Sequence, residues 1–185
     1  MAEYYLISQL PSLDAISDTV PMPITEERFE ELCHSFLSKK AQGEIDRLTL
    51  TPPRQAEKSG SALVEAWNEG ERRLRTALGK VRAEKMHKAF EVKSTDLSAA
   101  LLQVAQEAVA MDSPLEAERF LNRYRLEALE ALRPMDGFSE EFVFYYGLKL
   151  KLLWQLRRFD AEQGRAAYKK IYHDIMNKDS LEAVQ

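Results

Sequence analysis

The chain has 185 residues, a formal net charge of −4 and a pI near 5.5, with 45% apolar and 30% charged side chains. This composition is typical of a folded globular protein, and the negative charge argues against general attraction to nucleic acid or to an anionic membrane. A single cysteine, Cys33, excludes an intramolecular disulfide and fits the reducing cytoplasm. The first residues have no basic region, so no secretory signal is expected, and the most apolar stretch, residues 142–156, is too short to span a bilayer.

Residues 1–60 are predicted to hold one or two short helices and a loop. Residues 1–10 are compatible with a short extended segment or with a helix start, because periodicity over so few residues cannot separate the two. Thr25 is expected to cap a helix, and a second short helix is expected over residues 40–48. Residues 49–60 are predicted to form a polar loop and the best candidate boundary. The first helix repeats apolar residues on one face: Phe29, Leu32, Cys33, Phe36 and Leu37.

Residues 61–185 are predicted to form the main helical bundle, within one continuous domain overall. A long helix is expected at about residues 62–88. Its narrow apolar seam consists of Trp67, Leu74, Leu78 and Val81. The next helix is expected to be capped by Ser94 or Thr95. Its apolar face consists of Leu97, Leu101, Val104, Ala108 and Met111.

Strong start signals follow. Ser113 begins a capping box with Pro114 at the first helical position, and that helix is expected to stop before Pro134. Ser139 is expected to open a helix over residues 140–158 that is apolar nearly all round, so it must be central or covered by a partner. Its only polar or small stripe is Gly147, Lys151, Gln155 and Arg158.

Asp160 is predicted to open the last helix. The buried face of that helix is expected to be Tyr168, Ile171, Tyr172 and Ile175. The sequence therefore predicts an all-α multi-helix bundle of about six to seven helices, with a short extended N-terminal segment as an option.

No pattern in the sequence indicates catalysis. The three histidines are far apart and outside any HExxH pattern, and there is no nucleophile elbow or phosphate-binding loop. Cys33 lies on an apolar helix face and is expected to fill the core. We therefore expect a non-enzymatic protein with no catalytic residue, no metal, no cofactor and no small-molecule substrate.

Two basic clusters are candidate partner-binding surfaces. The candidate residues singled out within them are Arg72, Arg73, Arg75, Arg82, Lys149, Lys151, Arg157 and Arg158. They could instead form a solvated helix face with pairs such as Glu71–Arg75, or be neutralised within the chain by the acidic residues of segment 107–141. Docking of an acidic protein is the sharper alternative. Nucleic acid is not an expected partner, since no aromatic side chains are interleaved with these charges.

Three segments carry a family resemblance. They are residues 4–13 (YYLISQLPSL); residues 67–75 (WNEGERRLR) with Leu78 and Arg82-Ala83; and residues 138–141 (FSEE) with Tyr146, Leu148-Lys149-Leu150 and Gly164. Together they resemble a small bacterial family of unknown function whose genes lie among those for V-type (A/V-type) ATP synthase subunits. That family is in turn distantly similar to the C-type adapter, the helical, funnel-shaped part of these ATPases. Gly70 departs from the larger residue expected in the middle motif.

The resemblance implies a component or assembly factor of a bacterial V-type ATPase, an ion-transport machine. It could serve as a C-type adapter between the central rotor shaft and the membrane ring. The implied partners are V-type ATPase subunits, with no direct membrane insertion and a cytoplasmic place peripheral to the inner membrane. No catalytic residues carry over, because the adapter has none. The alternative is a freestanding helical protein–protein interaction adapter or regulator unrelated to the ATPase.

Overall fold

The computed structural model describes residues 2–14, 21–90 and 97–158, together with Tyr172. These residues form helices and no strands, so the predicted all-α bundle is confirmed. None of the helices in these ranges is both long and apolar enough to cross a membrane. The helices are α1 (Ala2–Gln9), α2 (Glu26–Phe36), α3 (Lys39–Arg47), α4 (Ala62–Lys85), α5 (Ala99–Ala110), α6 (Pro114–Ala131) and α7 (Glu140–Arg158).

Side-chain caps mark where most of these helices begin. In each case a hydroxyl oxygen accepts a backbone N–H from the first helical turn, which would otherwise have no partner. The capping residues are Thr25, Ser38, Ser61, Ser98 and Ser113. The predicted caps Thr25 and Ser113 are thereby confirmed. Ser139 also acts as predicted, because its hydroxyl accepts the N–H of Phe142 at the start of α7.

The N-terminal residues form a helix, so the extended alternative for residues 1–10 is wrong. In α1, Leu6 is fully buried in the core, whereas Tyr4 and Tyr5 are exposed. The helix packs against α2 and α7. A helix satisfies its own backbone groups, so it needs no neighbouring strand to cover them.

Two helix boundaries also differ from the prediction. The cap of α5 is Ser98, not Ser94 or Thr95, so Leu97 precedes the helix and Met111 follows it. The expected caps themselves lie outside the described residues. The end of α4 comes at Lys85 rather than residue 88, because His87 adopts a left-handed backbone conformation that closes the helix.

Most of the expected last helix, including Asp160, Tyr168, Ile171 and Ile175, lies outside the described residues. Tyr172 is described; it is helical and 53% exposed, so its predicted burial is wrong.

Two apolar cores lie along the bundle. The first core joins α1, α2, α3, the start of α4, the end of α6 and most of α7; its fully buried members include Leu6, Ile45, Leu129, Leu148 and Leu150. The second core joins the later part of α4 with α5 and α6 around Leu74, Ala77, Ala105 and Leu121. Residues on both sides of the loop at 49–60 share the first core.

Helix α7 is central, as its apolar circumference predicts. It packs against α1, α2, α3, α4 and α6. Two members of its polar stripe also contact neighbouring residues, since Gly147 lies against the side chains of Phe29 and Leu48, and Lys151 pairs with Glu26 of α2. The absence of a side chain at Gly147 allows this close approach: an added Cβ would lie 2.9 Å from Leu48 Cδ1 and 3.0 Å from Phe29 Cε1.

Candidate partner-binding surfaces

The predicted basic residues in the middle of α4 are paired within the chain. Arg72 and Arg73 both contact Glu69, at 3.2 and 3.0 Å. Arg75 pairs with Glu71 at 3.1 Å, as its i, i+4 spacing predicts. Its guanidinium also reaches the loop, donating to the Leu50 and Pro52 carbonyls. Arg75 therefore fastens the 49–60 loop to α4.

Lys149 is buried and belongs to a network that ties down the N-terminal segment. Its ammonium donates to Asp14 Oδ1 at 2.7 Å and to Glu130 Oε1 at 2.6 Å. Burial alone would lower the pKa of Lys149, but hydrogen bonds to Asp14, Glu130 and Tyr145 outweigh it and raise that pKa. The Tyr146 hydroxyl donates to the Pro11 carbonyl at 2.8 Å beside this network. Lys149 is thus a structural cation rather than an available surface charge.

The other predicted cations of α7 differ in their surroundings. Lys151 pairs with Glu26 at 3.1 Å and with Glu30 at 3.6 Å, so α7 is joined to α2 by charge as well as by apolar packing. Arg157 is half-buried near the end of the helix. The side chain of Arg158 lies outside the described residues.

A buried polar junction separates the two cores. Glu71 of α4, 2% exposed at its side chain, accepts two hydrogen bonds from Arg125 of α6, at 3.0 and 3.1 Å. Arg125 also donates to Glu118 and to the amide oxygen of Asn122. Gln155 of α7 donates to Glu118 at 3.4 Å. The junction therefore connects α4, α6 and α7 where apolar packing changes from one core to the other.

Two carboxylates accept hydrogen bonds from residues at the start of α4 and just before it. Glu141 Oε2 accepts a hydrogen bond from the Ser61 hydroxyl at 2.7 Å and from the Leu63 N–H at 3.2 Å. Glu44 accepts from the hydroxyl of Ser59 at 2.6 Å and from the Gly60 N–H. The Ser59 hydrogen bond lowers the pKa of Glu44 against the opposing effect of burial. Because 80 residues separate Ser61 from Glu141, no local sequence pattern indicates this contact.

An exposed basic cluster, which we call the α4 tip, lies at the far end of α4. It consists of Arg82, Lys85, Met86, His87, Lys88 and Phe90. Within the described part of the chain no carboxylate pairs with Arg82 or Lys88, and Lys85 donates only to the Val109 carbonyl. Met86 and Phe90 are 57% and 46% exposed. Of the predicted partner-binding residues, Arg82 belongs to this tip.

A second exposed cluster, the aromatic end, was missed from the sequence. It consists of Tyr4, Tyr5, Met135 and Phe138, all exposed. The rings of Tyr4 and Phe138 stack with centroids 4.9 Å apart, which joins α1 to the turn before α7. Adjacent Tyr4 and Tyr5 were a usable signal, because a short helix that buries Leu6 cannot also bury both.

The two clusters lie at opposite ends of α4. Phe138 stands shortly before Glu141, which contacts the start of α4, whereas Met86 caps its end. The helix has 24 residues, or about 36 Å at 1.5 Å per residue. Apart from Tyr172, the exposed large apolar side chains of the described residues all belong to these two clusters.

The described residues contain no group of three or more histidine, cysteine or acidic side chains placed to hold a metal ion. Cys33 is fully buried, and this burial raises the pKa of its thiol to about 12. Cys33 therefore fills the core as predicted. In comparisons with known proteins, no family model, no curated protein and no solved structure matches this chain.

Proposed function

We propose that this chain is a non-enzymatic helical adapter with a protein partner at each end, and that those partners are subunits of a bacterial V-type ATPase. The observation that carries the adapter role is the placement of two exposed apolar clusters at opposite ends of α4. Exposed apolar side chains gathered in one place are typical of protein-binding surfaces.

The internal organisation supports a rigid connection between these ends. Helix α7 packs against five other helices, and the Glu71–Arg125 junction joins α4 to α6 midway along the bundle. A rigid body of this kind keeps its two ends at a fixed separation, which an adapter between two larger parts requires. The basic side chains in the middle of α4 are paired within the chain, so we assign partner binding to the two ends of the helix instead.

The choice of partner comes from the resemblance of three segments to the family encoded beside V-type ATPase subunits. Two of those segments meet at the aromatic end, where Tyr4 stacks on Phe138. The middle segment, residues 67–75, contributes Glu71 and Arg75 to the polar junction. The three segments therefore include residues of the aromatic end and of the polar junction.

The test is co-purification of the full tagged chain with the ATPase from cells that encode both. We expect the soluble sector or the membrane ring to be recovered with the wild-type chain. Recovery should fall for Tyr4→Ser/Phe138→Ser, and stay unchanged for Arg123→Ser, an exposed position in the middle of α6. Absence of the chain from the intact ATPase, together with unaltered coupled ATP hydrolysis after gene deletion, would exclude the structural role.

The second candidate is a freestanding adapter or regulator that uses the same two ends with other proteins. It is favoured by the same pair of exposed clusters, which by themselves do not specify a partner. Gene order separates the two candidates, since a gene outside any ATPase cluster would favour the freestanding role. Mass spectrometry of the proteins recovered in the same experiment would identify the partner directly.

A further inference from the structure

The α4 tip has a shape that its backbone fixes. The N–H of Lys88 donates to the Ala83 carbonyl at 2.9 Å and that of His87 to the Glu84 carbonyl at 3.1 Å. These two hydrogen bonds form a Schellman turn, which satisfies carbonyl groups at the helix end. His87 adopts φ 53°, the left-handed conformation usually taken by glycine at this position. The turn ends α4 and directs the following residues back along the helix.

The chain then folds back so that Phe90 lies against Gly79 of the same helix. A Cβ added at Gly79 would come within 2.8 Å of Phe90 Cζ, so only glycine allows the ring this position. Phe90 nevertheless remains 46% exposed. Met86, at the helix end, is 57% exposed. The tip therefore presents apolar surface on a preorganised turn, which lowers the entropy lost on binding.

Positive charge surrounds this apolar surface. Arg82, Lys85 and Lys88 follow one another at intervals of three residues, and Glu84 is the one acidic side chain between residues 80 and 90. Glu84 pairs with Lys80 at 4.0 Å and not with these three cations. A locally positive surface on a chain of net charge −4 is complementary to an acidic partner. An extended polyanion such as a nucleic acid or an anionic membrane would also face the acidic remainder of the chain, whereas a short acidic segment needs to contact only the tip.

We propose that the α4 tip binds an acidic protein segment that carries apolar side chains among its carboxylates. Met86 and Phe90 contact the apolar side chains, while Arg82, Lys85 and Lys88 pair with the carboxylates around them. This inference rests on the proposed adapter function and specifies the chemistry of the partner at one of its ends. It does not depend on the partner being an ATPase subunit.

The test uses the purified full chain and a fluorescent helical peptide of about 18 residues, roughly five turns. In this peptide, single Glu residues are separated by Leu-Phe pairs. We expect saturable binding that weakens with added salt. Charge reversal in Arg82→Glu/Lys85→Glu/Lys88→Glu should weaken binding about tenfold or more. Met86→Ser should also weaken it, and the same peptide with Lys in place of Glu should not bind.

The matched control is Arg47→Glu/Arg54→Glu/Arg123→Glu, which makes the same change in net charge at exposed positions outside the tip. This variant should retain most of the affinity for the peptide, and circular dichroism should show that both triple variants are folded.

Equal affinity of the wild-type chain and the tip variant for the peptide would overturn the proposal. So would tip-dependent binding of duplex DNA or phosphatidylserine vesicles in place of the peptide, or tip-dependent self-association in sedimentation. Failure to co-purify with the ATPase would instead count against the proposed function alone.

Discussion

The guanidinium of Arg125 and the carboxylate of Glu71 form a two-point ion pair between α6 and α4, with Nε–Oε2 at 3.0 Å and Nη2–Oε1 at 3.1 Å. The pair lies between the two apolar cores and not inside either one. Its burial makes it a poor source of net stability, because both charges lose their hydration. Its geometry instead fixes how α4 and α6 align, since two parallel hydrogen bonds tolerate little sliding.

Removal of one partner of this pair should lower the free energy of unfolding far more than removal of both. We expect Arg125→Leu to destabilise the protein by about 3–5 kcal/mol, because Glu71 would remain buried without its main partner. The double variant Glu71→Met/Arg125→Leu should lose much less, since no buried charge is left unpaired. Urea unfolding of the two single variants and the double variant measures the difference. Additive losses would show that the two residues do not act as a pair.

Replacement of two helical glycines by alanine should change the stability of the protein in opposite directions. At Gly70 an added Cβ meets no atom within 4 Å, so Gly70→Ala should stabilise by about 0.5–1 kcal/mol through helix propensity. At Gly147 the same change forces buried Leu48 and Phe29 aside. Overpacking costs about 1–3 kcal/mol and should outweigh the same gain in propensity. Thermal or urea unfolding of both variants checks the signs, and a stabilised Gly147→Ala would contradict the close approach of α7 to α2 and α3.

Stability should fall in acid partly through Lys149 and its two carboxylates. The hydrogen bond from Lys149 lowers the pKa of Asp14, and the hydrogen bonds from Lys149 and Tyr145 lower that of Glu130 despite burial. A lowered pKa contributes stability above the unfolded value of about 4 that is lost as pH falls through the folded value. In Lys149→Met the fall in melting temperature between about pH 5 and 3 should be shallower. An identical pH profile in the variant would show that the network does not set these pKa values.

The thiol of Cys33 should be protected from alkylation in the native protein. Burial raises its pKa to about 12, so almost no thiolate exists near neutral pH, and the fully buried sulfur is inaccessible to reagents. Iodoacetamide at about pH 8 should label the urea-unfolded chain readily and the folded chain only at the rate of unfolding. Mass spectrometry follows the adduct. Rapid labelling of the folded chain would place Cys33 at the surface.

Local patterns in the sequence predict most of the helical architecture. Thr25 and Ser113 cap the expected helices because an N-cap depends on residues only three positions away. The apolar residues around most of the circumference of α7 predict its central position, because a helix without a broad polar face must be covered by other residues. The start of α5 was misplaced because Ser94, Thr95 and Ser98 are equivalent by type, and only packing of the helix selects among them.

The candidate surfaces were less predictable because they depend on contacts between distant segments. Charge counting grouped Arg72, Arg75 and Lys149 as candidate partner-binding cations, but each of them pairs with a carboxylate of the same chain. The aromatic end requires the stacking of Tyr4 on Phe138, a contact that periodicity within either segment does not reveal. Short-range pattern therefore located the helices, while the pairing of charges and the exposed clusters required the tertiary structure.

The most direct test of the two-ended adapter is photo-cross-linking in cells that encode a V-type ATPase. A photoreactive phenylalanine would replace Met86 at the α4 tip, Met135 at the aromatic end, or Arg123 in the middle of α6 as the control. We predict adducts with two different ATPase subunits from the two ends and no adduct from the control position. Equal cross-linking from all three positions would contradict the two-ended adapter, and end-specific adducts that contain no ATPase subunit would contradict the choice of partner.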